Sequence, residues 1–236
     1  MGIRAVWFDL DGTLLPMEQE AFVKAYFGAL AKKLAPLGYE PQKLIDAIWT
    51  GTAAMVRNDG SCPNEARFWE SFASVFGDRV YGDLPHFDAF YEREFDVAKS
   101  ACGYTPKAAE AVALVKSLGL RCALATNPIF PAVATHKRVA WAGLCTEDFE
   151  QITTYENARH CKPNPAYYRD MLDAMGLSPE EVLMVGNDVG EDMVAKTLGM
   201  KVFLLTDCLI CREGFSAEGY PQGDFDALLS YLPTLV

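Results

Sequence analysis

Two carboxylates stand one residue apart at Asp9 and Asp11, directly after the apolar run of residues 3–8. Alternate residues of a strand share a face, so the two side chains start out pointing the same way. Like charges at the end of a buried strand repel each other, and a hard cation such as Mg²⁺ removes that cost. The spacing therefore provides one carboxylate that can attack phosphorus and a second that can move a proton.

Three later segments carry side chains that would assist this chemistry. Thr126 and Asn127 follow an apolar run and offer a hydroxyl and an amide to phosphoryl oxygens. Lys162, in a loop stiffened by two prolines, would stabilise an ionised nucleophile and the charge of a phosphoryl transition state. Asp188 and Asp192 lie four residues apart and can converge on one metal ion. Taken singly, these features are also typical of turns, a solvated lysine and a helix cap.

The elements that must position these residues are short apolar runs followed by turn signals. Besides residues 3–8, the runs are 120–125, 182–185 and 202–205, with a weaker one at 149–154. A helical pattern such as 107–117 lies between them. This alternation predicts an α/β fold with a doubly wound parallel sheet, in which ligands bind outside the carboxyl ends of the strands.

Residues 17–98 have no strand-like run and show successive amphipathic helical patterns. The helices are expected near 18–35, 41–56, 65–76 and 83–98. We predict a helical cap domain of residues 17–98, inserted into a core domain formed by residues 1–16 and 99–236. Its aromatic side chains are expected mostly in the cap's own core, with a minority facing a substrate. In its central turn, Arg57, Asn58 and Asp59 are candidates for substrate contact, with a solvated turn as the alternative.

Composition limits the possible partners and location. The 236-residue chain has a formal net charge of −11, which argues against nucleic acid, because phosphate backbones are held by clustered lysines and arginines. Seven irregularly spaced cysteines do not form a disulfide framework, and Cys208 and Cys211 are interpreted as ordinary thiols. No signal peptide or membrane-length apolar run is visible, so we expect a cytoplasmic protein with no membrane partner. The oligomeric state stays open.

Together the four segments resemble, in order, the motifs of the haloacid dehalogenase (HAD) superfamily: DxDGT, a strand ending in Thr, a Lys-Pro loop and an acidic strand end. The resemblance covers the whole chain and implies a Rossmann-like core with a helical cap. It also implies Mg²⁺ held by Asp9, by the backbone carbonyl of Asp11, and by Asp188 and Asp192. Many relatives have Gly-Asp in the last motif, where this chain has Gly-Asn-Asp at 186–188. Which of Asp188 and Asp192 touches the metal is therefore open, with Asp188 preferred.

The resemblance implies a Mg²⁺-dependent phosphatase acting on a small phosphorylated metabolite. Asp9 would attack phosphorus and form an aspartyl-phosphate, while Asp11 would protonate the leaving alcohol and then activate water. Lys162 would neutralise charge, and Thr126 and Asn127 would hold phosphoryl oxygens. Dehalogenase members lack the second aspartate, and transporting ATPases carry threonine there. The alternatives are a sugar phosphomutase, which would need a cap that grips a second phosphate, and a non-catalytic binding or regulatory protein. The physiological substrate is not predicted.

Overall fold

The computed structural model describes residues 2–236, and its centre is a parallel β-sheet. Within the described residues the sheet has six strands in the order β3-β2-β1-β4-β5-β6, and every neighbouring pair is parallel. The strands are β1 Ala5–Phe8, β2 Arg121–Leu124, β3 Gln151–Ile152, β4 Val182–Gly186, β5 Lys201–Leu205 and β6 Gln222–Gly223. The predicted α/β fold with a parallel sheet is confirmed.

Helices cover both faces of this sheet. The helices of the described residues are, in chain order, α1 Gln19–Leu34, α2 Pro41–Val56, α3 Asn64–Phe76, α4 Val80–Arg93, α5 Pro106–Ser117, α6 Ala132–Trp141, α7 Pro165–Met175 and α8 Phe225–Tyr231. Alternate residues of β1 enter different hydrophobic clusters: Val6 and Phe8 pack on one side, and Ala5 and Trp7 on the other. Burial on both faces explains why the central strands are continuously apolar.

The register of the central strands brings their carboxyl ends to one edge. Phe8 of β1 lies opposite Leu124 of β2 on one side and Val185 of β4 on the other. The residues that follow these three strands therefore emerge side by side. The predicted strand at 149–154 is shorter in the structure, where it forms the edge strand Gln151–Ile152. Strand β6 was not predicted, because Gln222 and Gly223 carry no apolar signal.

Helices α1 to α4 and a 3₁₀-helix at Phe95–Ala101 make up the inserted segment. The pattern at 83–98 corresponds to two elements, since α4 ends at Arg93 and the 3₁₀-helix follows. The two connections to the core run side by side: the Gly103 N–H donates to the Pro16 carbonyl at 2.7 Å, and the Glu18 N–H donates to the Ala101 carbonyl at 3.1 Å. Buried side chains of the insertion and the core form one continuous cluster, so the division at 17–98 stays a prediction.

The start of α3 joins the insertion to a core loop. The Asn64 N–H donates to the Ala158 carbonyl at 2.9 Å, and the Glu65 N–H donates to the Tyr155 carbonyl at 2.8 Å. The fully buried Asn64 side chain also donates to the Pro128 carbonyl at 3.2 Å. These bonds hold the insertion over the edge of the sheet where the central strands end.

Candidate active site

Asp9 directly follows β1, and both of its carboxylate oxygens have partners. Lys162 Nζ donates to Oδ1 at 2.9 Å, and Thr13 Oγ1 lies 3.1 Å from Oδ2. The Asp9 N–H donates to the Val185 carbonyl at 2.9 Å, which continues the pairing of β1 with β4 by one residue. The proposed nucleophile is therefore fixed in orientation at the sheet edge.

The turn after Asp9 depends on Gly12 and Asn187. Gly12 has φ +83°, and a Cβ added there would clash with Asn187 Nδ2. Such a close approach in the left-handed region requires glycine. Asn187 is buried; its Nδ2 donates to the Cys208 carbonyl at 2.6 Å, and its Oδ1 lies 3.0 Å from Thr13 Oγ1. The asparagine that interrupts the expected Gly-Asp pair therefore connects three loops at the site.

Lys162 is a buried cation between two carboxylates. Its side chain is 1% exposed, and Nζ lies 2.9 Å from Asp9 Oδ1 and 2.6 Å from Asp192 Oδ1. Burial lowers the pKa of Lys162, but the charges of Asp192 and Asp9 outweigh it and hold the pKa well above the usual value. The lysine thus stays charged, and it brings together residues from three separate motifs.

Asp192 belongs to this buried network. Besides its bond from Lys162, it accepts the Asp188 N–H at 3.0 Å through Oδ2. A Cβ added at Gly186 would clash with the same oxygen, so the carboxylate rests against the end of β4. Burial raises the pKa of Asp192, and Lys162 opposes this shift. With both oxygens engaged by the protein, Asp192 holds Lys162 in place.

Asp188 has a more open environment. Its Oδ1 accepts the N–H groups of Gly190 and Glu191 at 2.8 and 3.1 Å, and its Oδ2 lies 2.8 Å from Arg212. The Arg212 side chain is 54% exposed, so breaking its ion pair with Asp188 costs little free energy. Asp188 is the carboxylate whose second oxygen can be released to a ligand, which agrees with its preference as a metal ligand.

Asp11 forms a partly buried ion pair that the sequence did not reveal. Its Oδ2 contacts Arg138 of α6, and its Oδ1 is buried with no hydrogen-bond partner. Burial raises the pKa of Asp11, while Arg138 opposes the shift. Arg138 is 1% exposed and lies 4.5 Å above the ring of Phe130. A single arginine within a helical pattern usually faces solvent, so the sequence carried no signal for this contact.

Thr126 and Asn127 follow β2 and line the same cavity as Asp9. Asn127 Nδ2 donates to Glu191 Oε2 at 3.0 Å, whereas its Oδ1 is buried without a partner. Burial raises the pKa of Glu191, a cavity residue that the sequence pattern did not single out. All seven predicted site residues therefore lie at one edge of the sheet, and their individual roles stay predictions.

A sequence model of haloacid dehalogenase-like hydrolases matches residues 3–196. The chain belongs to this family. Protein CbbY from Rhodobacter capsulatus is 25% identical over 230 residues, which cover 96% of each chain. The phosphoglycolate phosphatase of Neisseria gonorrhoeae is 26% identical over 200 residues, or 84% of this chain and 77% of that enzyme. The crystal structure of a HAD phosphatase from Thermococcus onnurineus shares the fold with a TM-score of 0.61 at 18% identity, covering 98% of both chains.

This haloacid dehalogenase-like hydrolase offers a donor set suited to Mg²⁺. Among residues 2–236, no three His, Cys, Asp or Glu side chains converge into a ready-made metal cage. Mg²⁺ does not need one, because it commonly binds through one or two carboxylates and completes its octahedron with water and substrate phosphate. The carboxylates of Asp9 and Asp188 are hard oxygen donors at the same cavity and fit that requirement.

Three predictions made outside the main site have separate outcomes. Arg57, Asn58 and Asp59 do not line the cavity, so the structure gives no support to their assignment to substrate contact. Instead, the Asn58 side chain donates to Asn64 Oδ1 at 2.9 Å and supports the start of α3. The cysteines are all free thiols, as expected. No helix among the described residues is both long and apolar enough to cross a membrane.

Proposed function

We propose that this chain is a Mg²⁺-dependent phosphatase that hydrolyses a small phosphorylated metabolite through an aspartyl-phosphate on Asp9. The proposal rests on one observation: the Asp9 carboxylate is held by the buried Lys162 at the edge where Asp11 also emerges. Membership of a hydrolase family with phosphatases among the matched relatives supports a phosphoric monoester hydrolase.

In the first step an Asp9 oxygen bonds to phosphorus as the bond to the ester oxygen breaks. Asp11 gives its proton to the departing alcohol, since a positioned acid assists the loss of a poor leaving group. Lys162 stabilises the charge on the phosphoryl oxygens, with Thr126 and Asn127 as hydrogen-bond partners. In the second step Asp11 accepts a proton from water, the water oxygen bonds to phosphorus and the Asp9 carboxylate is released.

Bound Mg²⁺ would offset the charge of the phosphoryl group and shield it from the Asp9 carboxylate. We assign its protein ligands to Asp9, the Asp11 backbone carbonyl and Asp188. Asp192 is better suited to holding Lys162, because both of its oxygens are already engaged. This assignment chooses between the two acids that the sequence left open.

Substitution of Asp9 tests the proposal. With 4-nitrophenyl phosphate and Mg²⁺, Asp9→Asn is expected to lower turnover by at least about a thousandfold. The matched control is Asp226→Asn, which changes an exposed carboxylate paired with Lys107 and should keep wild-type turnover. Turnover by the wild type without Mg²⁺, or Mg²⁺-dependent turnover that survives Asp9→Asn, would contradict the proposal.

A further inference from the structure

The cavity that contains Asp9 extends far into the inserted helices. It has a volume of about 320 Å³, within the range of small-molecule sites. The wall on the side of the insertion is largely aromatic and comes from α1, α2, α3, α4 and two core loops. Representative lining residues are Phe22, Phe27, Trp49, Trp69, Phe130 and Tyr155. The aromatic residues of the insertion are thus divided between internal packing and a wall that faces an open space.

Charge is distributed unevenly along this cavity. The acidic lining residues lie at the end where the sheet strands terminate: Asp9, Asp11, Asp188, Glu191 and Asp192. Arg212 is the one cationic lining residue in the described chain, and it pairs with Asp188 at that same end. No lysine or arginine of the insertion lines the cavity within residues 2–236.

Three of the basic side chains of the insertion are engaged away from the cavity. Lys33 pairs with Glu94 at 2.7 Å, Arg67 pairs with Glu70 at 3.0 Å, and Arg79 donates to the Leu37 carbonyl at 3.2 Å. Arg138, which stacks on Phe130 behind the wall, is paired with Asp11, so a second phosphate beside the insertion would lose its hydration with no free lining cation to replace it. Burial of an unpaired charge is strongly unfavourable, which argues against a bisphosphate or a phosphomutase substrate.

A hydrogen-bonded pair of tyrosines interrupts the apolar wall. The hydroxyls of Tyr26 and Tyr91 lie 2.8 Å apart and form one hydrogen bond with each other. Two hydroxyls carry two hydrogens, so one donor is left over, and both rings line the cavity. Gln19 and Thr52, the other polar lining residues of the insertion, are neutral. The wall can therefore satisfy one or a few neutral acceptors but no anion.

We propose that the substrate is a phosphate monoester whose alcohol part is largely apolar and carries no second anionic group. This inference rests on the proposed phosphatase function and adds the substrate class. The phosphate lies at the acidic end with Mg²⁺ and Lys162, and the alcohol part extends between the aromatic side chains. The leftover Tyr26 or Tyr91 hydroxyl donates to a neutral acceptor oxygen of that part.

A series of primary alkyl phosphates tests the inference, because the leaving alcohols have nearly equal reactivity. From ethyl through butyl to hexyl phosphate, kcat/KM is expected to rise by about fourfold per methylene, as each buried methylene contributes its transfer free energy. Hexyl phosphate should exceed glucose 6-phosphate, also an ester of a primary alcohol, by at least about a hundredfold. Fructose 1,6-bisphosphate should be a poor substrate.

A variant of a lining residue and a matched aromatic control test whether the aromatic wall causes the preference for longer alkyl chains. Trp49 is half exposed at the cavity, so Trp49→Ala should fold and should lower kcat/KM for hexyl phosphate by about tenfold, while changing that for ethyl phosphate less than about twofold. Tyr81, equally exposed but outside the cavity, serves as the control, and Tyr81→Ala should leave both values unchanged.

The outcomes separate the two proposals. Mg²⁺-dependent turnover with a flat alkyl series, or with glucose 6-phosphate or the bisphosphate preferred, overturns the substrate class and leaves the phosphatase proposal intact. Equal effects of Trp49→Ala and Tyr81→Ala would likewise overturn the substrate class alone. No turnover of any ester, including 4-nitrophenyl phosphate, overturns the phosphatase function and the substrate class with it.

Discussion

The guanidinium of Arg138 contacts the carboxylate of Asp11 inside the protein, although the two residues lie 127 positions apart in the chain. Arg138 is held on its other sides by the Ala134 carbonyl at 3.3 Å and Thr135 Oγ1 at 3.2 Å. These contacts fix the direction from which the cation approaches Asp11. Because Arg138 contacts the Asp11 carboxylate directly, we infer that it positions the proposed proton donor.

Replacement of Arg138 should therefore affect proton transfer more than substrate binding. We expect Arg138→Gln to lower kcat for hexyl phosphate by about 10- to 100-fold with KM changed less than about threefold. The loss should be smaller for 4-nitrophenyl phosphate, whose leaving group needs little help from an acid. Steady-state kinetics on both esters measures this, with Arg67→Gln as a control that breaks an ion pair outside the cavity. Equal losses on both esters would argue against a positioning role.

Lys162 should matter for stability as well as activity. Lys162→Met leaves the carboxylates of Asp9 and Asp192 buried together without their cation, and breaking such a buried network costs about 3–5 kcal/mol. Urea unfolding measures the loss. The matched control is Lys107→Met, which removes an exposed pair with Asp226 and should change the free energy of unfolding by less than about 1 kcal/mol. Similar losses of unfolding free energy in both variants would refute the claim that Lys162 stabilises the fold through a buried network.

Substitutions of Asp188 and Asp192, the two acids that follow β4, should have different effects. Asp188→Asn is expected to raise the Mg²⁺ concentration for half-maximal activity by about tenfold or more, with a small change in melting temperature. Asp192→Asn is expected to lower the melting temperature more, because Lys162 loses a charged partner. Mg²⁺ titrations of activity and thermal melts of both variants measure this. The reverse pattern would transfer the metal role to Asp192.

Gly186 should tolerate no side chain. Gly186→Ala places a methyl group against the Asp192 carboxylate, and overpacking of this kind costs about 1–3 kcal/mol. Thermal and urea unfolding measure the change. Gly28 of α1 is the matched control, because a Cβ there meets nothing within 4 Å; alanine at this helical position should be neutral or stabilising by up to about 1 kcal/mol. An unchanged Gly186→Ala protein would mean that Asp192 can move freely.

The sequence was sufficient to predict which residues meet at the sheet edge, but not which side chains contact them from the helices above it. The strands β1, β2, β4 and β5 are apolar runs that end in polar residues, and parallel pairing places those ends together whatever the details of packing. Arg138 and Asn64 could not be assigned, because their roles depend on which helix face meets the core. Periodicity likewise could not show which aromatic rings of the insertion face one another and which face the cavity.

The main-chain bonds at the start of α3 also determine how opening of the cavity can be observed. An amide hydrogen in a bond to a carbonyl exchanges with solvent when that bond breaks. The amides of Asn64 and Glu65 donate across the junction to Ala158 and Tyr155, so their exchange requires that the insertion lifts from the core loop. If product leaves by that movement, turnover can be no faster than the opening rate. Hydrogen exchange at these two backbone amides therefore reports the opening movement that would limit product release.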